Sequence, residues 1–175
     1  MIIGKKVELL KPLESDMNLL WEWRNNPYHR KYYREFRESN IDDQMNWFRN
    51  ILKDDSWHHF VIRKKGEKKI IGVVFLNHIH PVNRTGEFGI TLAEASYRGR
   101  GLGKDALLTI LDYGFNELNL NRIWCEVYSN NSSIKLYQNI GFKVEGVLRK
   151  HIFKEGEYLD SIMMGMLKSE FTGKK

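Results

Sequence analysis

The run Arg98-Gly99-Arg100-Gly101-Leu102-Gly103-Lys104 has the composition of an anion cradle. It follows a strand-like alternation and opens a helix-like one. The first N–H groups of a helix have no backbone partner, and the helix dipole favours negative charge beside them. Glycine lets backbone approach a ligand closely, and Arg98, Arg100 and Lys104 add positive charge. Two familiar phosphate motifs fail here. A Walker loop needs Gly where Arg98 stands and Ser or Thr where Asp105 stands. The dinucleotide pattern G-x-G-x-x-G ends on Lys104 if begun at Gly99, and on Ala106 if begun at Gly101. The pattern that fits is R-x-x-G-x-G. The histidines are His29, His58, His59, His78, His80 and His151. His78 and His80 share one strand face in an alternating reading. Two ligands without a third do not make a metal site, so no metal is expected. The single cysteine, Cys125, alternates with Ile123 and Val127 and reads as core.

The elements that must position these residues follow from periodicity. Lys5 to Leu10 reads as a first strand ended by Pro12. Ser15-Asp16 caps a short helix carrying Met17, Leu19, Leu20 and Trp23, and Asn25-Asn26-Pro27 stops it. Residues 28–39 read as a loop or a short helical turn. Asn40 caps a helix from Ile41 to about Leu52, with Met45, Phe48, Ile51 and Leu52 on one stripe. His58–Lys64 and Lys69–His78 form a hairpin around Gly66-Glu67. Thr85–Leu92 is a strand, residues 97–103 the glycine loop, and Leu102–Leu118 a helix. Arg122–Val127 is a strand, Ser132–Asn139 a helix, and Phe142–Arg149 and Tyr158–Leu167 are strands joined near Gly156. The order is β-αα-βββ-α-β-α-ββ. The β-α-β unit makes strands 84–92 and 122–127 parallel. The class is mixed α+β: a twisted, mostly antiparallel sheet of about seven strands with four helices.

Composition limits the alternatives. A length of 175 residues suits one domain spanning 1–175. One cysteine excludes an intramolecular disulfide framework. The longest apolar run, Ile70–Leu76, is far short of the about 20 residues that a membrane-spanning helix needs. No signal peptide is visible, so a cytoplasmic setting is expected. Lys and Arg total 28 against 22 for Asp and Glu, giving +6. The lysines around Gly66 read as a solvated hairpin tip.

The R-x-x-G-x-G loop resembles the pyrophosphate loop of the GNAT superfamily of N-acetyltransferases. Four further stretches resemble that family, and its RimJ/RimL-like branch in particular. They are Trp21-Glu22-Trp23-Arg24-Asn25-Asn26-Pro27, residues 82–89, Asn130-Asn131-Ser132-Ser133-Ile134-Lys135-Leu136-Tyr137-Gln138-Asn139-Ile140-Gly141-Phe142, and the ending at 144–149 and 156–160. The resemblance covers about residues 5–168. It implies acetyl-CoA as cosubstrate, direct transfer to an amine, and no acyl-enzyme. Relatives are often dimers, so a homodimer is one state it allows.

The chemistry then assigns roles. The amine must be neutral to attack, the oxyanion needs donors, and the leaving thiolate benefits from a proton. By resemblance the acid is Tyr137, whose phenol is protonated near pH 7. Glu87 is the expected base, directly or through water. Thr91, Leu92 and Ala93 are expected to offer backbone groups to the pantetheine arm, as an added strand would. Residues Arg98, Gly99, Arg100, Gly101, Leu102, Gly103 and Lys104 are expected at the phosphates. Asn130 is expected at the thioester end or as a helix cap, and Ser133 at the cofactor.

The acceptor would be read by the first two helices and the loop after them. Trp23, Arg24 and Tyr33 are the expected contacts there. The region is aromatic and basic, which favours an anionic acceptor such as an amino-sugar nucleotide over a polyamine. Its Trp-Arg-Asn-Asn-Pro, Trp47-Phe48 and Trp124–Val127 stretches also resemble the acetyltransferases of UDP-4-amino sugars in flagellin glycan pathways. The alternatives are a RimJ/RimL-type enzyme acting on protein or ribosomal N-termini, and a non-catalytic acyl-CoA-binding module. Neither a membrane nor a nucleic acid is an expected partner.

Overall fold

The computed structural model describes residues 1–35 and 37–173. Eight strands form one sheet in the order β1-β2-β3-β4-β5-β6-β8-β7. They are β1 Ile2–Ile3, β2 Val7–Leu10, β3 His58–Lys64, β4 Ile70–His80, β5 Thr85–Leu92, β6 Arg122–Tyr128, β7 Lys143–Lys154 and β8 Glu157–Leu167. The helices are α1 Met17–Asn25, α2 Pro27–Arg30, α3 Ile41–Ile51, α4 Leu102–Asp112 and α5 Ser133–Ile140. The two-residue strand β1 and the four-residue helix α2 raise the expected counts. Neither is long enough to leave a period in the sequence.

Only β5 and β6 run parallel, as the β-α-β reading requires. Their pairing covers just Thr85 with Arg122, Gly86 with Ile123 and Glu87 with Trp124. Beyond Glu87 the strands separate. β5 stays paired with β4 as far as Leu92, and β6 with β8 as far as Tyr128. A wedge with backbone on both sides is left in mid-sheet.

Strand alternation sends apolar side chains to both faces. Phe60 and Ile62 join Leu9, Ile71 and Leu76 in the main core beneath Leu107, Ile110, Leu111 and Phe115 of the helical side. Val61 points the other way, into a smaller core with Met17, Leu20 and Phe48 from α1 and α3. Helices therefore cover both faces. The helix expected to run to Leu118 leaves α geometry at Tyr113 and ends in a π-helical turn over Tyr113–Glu117. At its centre Gly114 lies so close to Ile123 and Leu76 that a Cβ would come within 2.7 Å of a side chain. Among the described residues no helix is long and apolar enough to cross a membrane.

Asp105 locks the start of α4 to the N-terminal strands. Its carboxylate accepts from the N–H groups of Lys5 (3.1 Å), Lys6 (2.7 Å) and Val7 (3.0 Å), and the residue is buried. A buried donor without a partner costs about 1–3 kcal/mol. Asp105→Ala is therefore expected to lower unfolding stability by about 2–4 kcal/mol in a denaturant melt. A loss under about 0.5 kcal/mol, the range of an ordinary surface change, would contradict this role.

Candidate active site

A cavity of about 500 Å³ opens over the wedge. α1 contributes Trp23 and Arg24, and residues 32–35 contribute Tyr32, Tyr33, Arg34 and Glu35. α3 adds Trp47, and the sheet adds His59, Phe75, Glu87, Thr91, Cys125 and Glu126. Tyr137 closes the wall from α5. The structure thus brings together Trp23, Arg24, Tyr33, Glu87, Thr91 and Tyr137 from distant parts of the chain.

Tyr137 is buried, with its ring edge-on to Phe88 at 5.1 Å. Burial first, and then the Cys125 thiol beside it, push its phenol well above the usual tyrosine range. It keeps its proton at every pH near neutrality. Ser133 lies beside that hydroxyl. Burial likewise pushes the Cys125 thiol up, so it is no nucleophile at neutral pH. Cys125 is a core residue that also touches the cavity.

Glu87 is buried and fully engaged. The Arg34 guanidinium grips both its oxygens, by Nη1 to Oε2 at 3.2 Å and by a shorter contact from Nη2 to Oε1. His78 Nδ1 lies 2.8 Å from Oε2. Arg34 Nε also donates to Glu126 Oε2 at 3.0 Å. On the far side of Glu126, His151 Nδ1 lies 3.2 Å from Oε1. One arginine thus bridges two carboxylates, and a histidine backs each of them.

Both histidines reach their places through irregular backbone. The β4–β5 register slips between Asn77 and His80, where His78 has φ 50°. The β7–β8 register slips between Leu148 and Ile152, where Lys150 has φ 50°. Bulges re-aim side chains, and positive φ at a non-glycine residue is strained. The first bulge corrects the expectation that His78 and His80 share a face. His78 turns to Glu87, while His80 Nδ1 accepts from the N–H of Asn83 at 3.1 Å. Among the described residues no three His, Cys, Asp or Glu side chains form a metal site.

At the other end of the wedge lies the glycine loop. Gly99 and Gly101 have φ 74° and 76°, which glycine adopts without strain. Gly101 precedes α4, so the N–H groups that begin this helix are free of helical partners. Arg100 and Lys104 are exposed beside them. Leu102 buries its side chain in the main core and offers only backbone. These residues fit a pyrophosphate. Arg98 departs from expectation. Its guanidinium donates to the carbonyls of Leu92 (3.0 Å) and Ala93 (3.3 Å), and it stacks 4.7 Å from the Tyr28 ring. It ties the loop to the end of β5 rather than reaching freely for phosphate.

Two further expectations shift by one residue. The N–H of Ala93 is already held by the carbonyl of Ile71 at 2.9 Å. Backbone direction alternates along a strand, so Thr91 also faces β4, and the N–H groups of Ile90 and Leu92 face the open wedge. Asn130 is exposed and borders a separate small cleft with Lys31 and Lys154. Its neighbour Asn131 lines the main cavity just ahead of α5, with Oδ1 accepting from Ser133 N at 2.9 Å.

A parallel strand pair that splays beside a glycine loop at a helix start, with a buried tyrosine facing the gap, defines the acetyl-CoA-dependent N-acetyltransferases. The chain belongs to the GNAT acetyltransferase family, whose domain model matches residues 7–143. It is 31% identical over 165 residues to the spermidine N(1)-acetyltransferase of Escherichia coli, covering 93% of this chain and 87% of that one. It is 32% identical over 107 residues to the putative ribosomal N-acetyltransferase YdaF of Bacillus subtilis, covering 61% and 58%. Among solved structures it is similar to Vibrio cholerae spermidine N-acetyltransferase in complex with CoA and spermine. There the TM-score is 0.88 and the identity 28%, over 95% of this chain and 98% of that one. The chain is therefore an N-acetyltransferase that uses acetyl-CoA.

The pairing of Arg34 with Glu87 and Glu126, and of His78 and His151 with those carboxylates, did not emerge from sequence patterns, because contacts between separate elements and across bulges leave no mark in spacing. The aromatic box around His59 was equally hidden. Phe75 stacks on the imidazole at 4.7 Å, Trp57 stacks at 5.3 Å, and Trp47 meets it edge-on at 5.1 Å. Burial, then the nearby Lys11 and His58 charges, lower its pKa to about 3. Its Nε2 is buried without a partner. Unfolded His59 takes up a proton below about pH 6.5; the folded imidazole does so only near 3. Its contribution to stability is complete above the unfolded value and is lost as pH falls from about 6.5 toward 3. His59→Phe is expected to gain on the wild type between pH 8 and pH 5, by about 1–2 kcal/mol, in paired thermal melts. Parallel stability curves would contradict it.

Proposed function

We propose that this enzyme acetylates a primary amine of a small aliphatic polyamine. The observation that carries the reading is the buried carboxylate pair Glu87 and Glu126 on the cavity wall, which already holds a guanidinium. With the histidines counted neutral, two carboxylates and one arginine leave a unit of negative charge. Rings such as Trp23, Trp47 and Phe75 suit both methylene chains and cations. The relatives named for spermidine point to the same class. The expectation of an anionic acceptor rested on the aromatic and basic residues of 21–48 and on the resemblance of those stretches and Trp124–Val127 to amino-sugar acetyltransferases. The carboxylates that a polyamine needs come instead from β5 and β6.

In this reading Glu87, directly or through water, takes the proton from the acceptor ammonium. The neutral amine attacks the thioester carbonyl carbon. An N–H on the open side of β5 supports the oxyanion. As the C–S bond breaks, Tyr137 gives its proton to the CoA sulfur, the attacking nitrogen gives up its second proton to the tyrosinate, and the products are the N-acetylated amine and CoA, with one proton left on Glu87. The loop at 99–104 binds the donor's pyrophosphate, with Asn131 and Ser133 beside the reacting end. The setting is cytoplasmic.

A second reading, an amino-sugar nucleotide acceptor, has one observation in its favour. Arg24 lines the cavity and has no ion-pair partner among the described residues, so it is free to meet a phosphate.

Thiol release from acetyl-CoA with an acceptor panel separates the readings. Spermidine is expected to react, with UDP-amino sugars and N-terminal peptides inert. Tyr137→Phe is expected to lower kcat by about 10²-fold or more, with little change in KM for acetyl-CoA. Turnover of a UDP-amino sugar without spermidine turnover would favour the second reading. Full activity in Tyr137→Phe would remove the acid role.

A further inference from the structure

We infer that Arg34 is an internal occupant of the acceptor's cation site, and that the acceptor ammonium must displace it. This rests on the polyamine reading and goes beyond it, because it makes an arginine of this chain the setting of acceptor affinity.

The site is built to hold a cation. Glu87 and Glu126 come from the two strands that flank the wedge, and their side chains are only 7% and 9% exposed. Two buried carboxylates this close to one guanidinium repel each other unless a cation lies between them. Each is fixed from behind by a histidine on a bulge, His78 and His151, so neither can turn away. Strained backbone at both bulges is consistent with a site, because strain of this kind persists where surrounding structure holds it in place.

Arg34 is the exposed partner of the three. Its side chain is 46% exposed, and it stands in residues 31–35, which form neither helix nor strand. The segment is moored next door, where Tyr33 Oη bonds Thr91 Oγ1 at 3.3 Å and Lys154 Nζ donates to the Tyr33 carbonyl at 2.7 Å. The Arg34 side chain can therefore swing to solvent while the segment stays in place. With Arg34 seated, both oxygens of Glu87 are engaged. An arriving ammonium restores the charge balance, frees the guanidinium, and sets its own proton against Glu87. Occupancy of one site by either cation makes Arg34 a competitor of the acceptor and not of acetyl-CoA.

The test is steady-state kinetics of Arg34→Met and Arg34→Gln with spermidine, each checked by thermal melt. Both variants are expected to lower KM for spermidine by about tenfold, the factor that about 1.4 kcal/mol of lost competition gives, and to leave KM for acetyl-CoA unchanged. Two variants of different polarity separate lost charge from lost packing. If the wild type acetylates spermidine but either folded variant shows an unchanged or raised KM, the competitor role is overturned and the polyamine reading stands. If spermidine is inert with the wild type and both folded variants, both fail, because a vacated carboxylate pair that takes no ammonium is not a cation site.

Discussion

The site depends on the point where β5 and β6 stop pairing. Three residue pairs hold the strands together, and after Glu87 and Trp124 each strand keeps only its outer neighbour. Peptide groups that would bond in a continuous sheet are left facing a wedge, where an unmet N–H is costly unless a ligand or water meets it. An extended amide-bearing arm would meet that need as an added strand does. The glycine loop at one end, Tyr137 in the wall and the carboxylates at the apex all take their positions from this divergence.

Around the apex, charge is arranged rather than merely present. The net charge of +6 says little about a site whose centre is the buried Glu87 beside the largely buried side chain of Glu126. Two bulges at strained residues place His78 and His151 behind those acids, and an arginine from an irregular segment covers them in front. Asp105 works in the same manner at the other end, gathering three backbone donors so that the N-terminal strands and α4 share one anchor. The glycine loop therefore leads into a helix anchored at its first turn, while the half-exposed Arg34 side chain covers the carboxylates at the apex.

Much of this was legible from the chain alone, and the reasons for the exceptions are physical. The strand, glycine loop, helix and strand from Thr85 to Val127 carry strong local patterns, and the parallel pairing followed from them. Tyr137 and Glu87, singled out by the resemblance, both line one cavity. Local pattern could not choose between Asn130 and Asn131, because either asparagine can cap the helix that follows. It could not see that Arg98 folds back onto Leu92 and Ala93. A bulge has no periodic signature, so His78 and His80 read as one face when they are not. Arg34 meets partners 53 and 92 residues away, and a contact of that kind leaves no trace in spacing. The emphasis on an anionic acceptor came from the charges of one segment and from a resemblance, neither of which weighed the acids that β5 and β6 bring to the cavity.

The central claim, that the open edge of β5 receives the acetyl-CoA arm, has a direct test in residue-resolved amide hydrogen exchange with and without CoA. The account predicts that CoA slows exchange at Ile90 and Leu92, which face the wedge, and at residues 101–104 in the loop. It predicts little change at Thr91 and Ala93, whose N–H groups already face β4. Unchanged exchange at Ile90 and Leu92 under saturating CoA would contradict it.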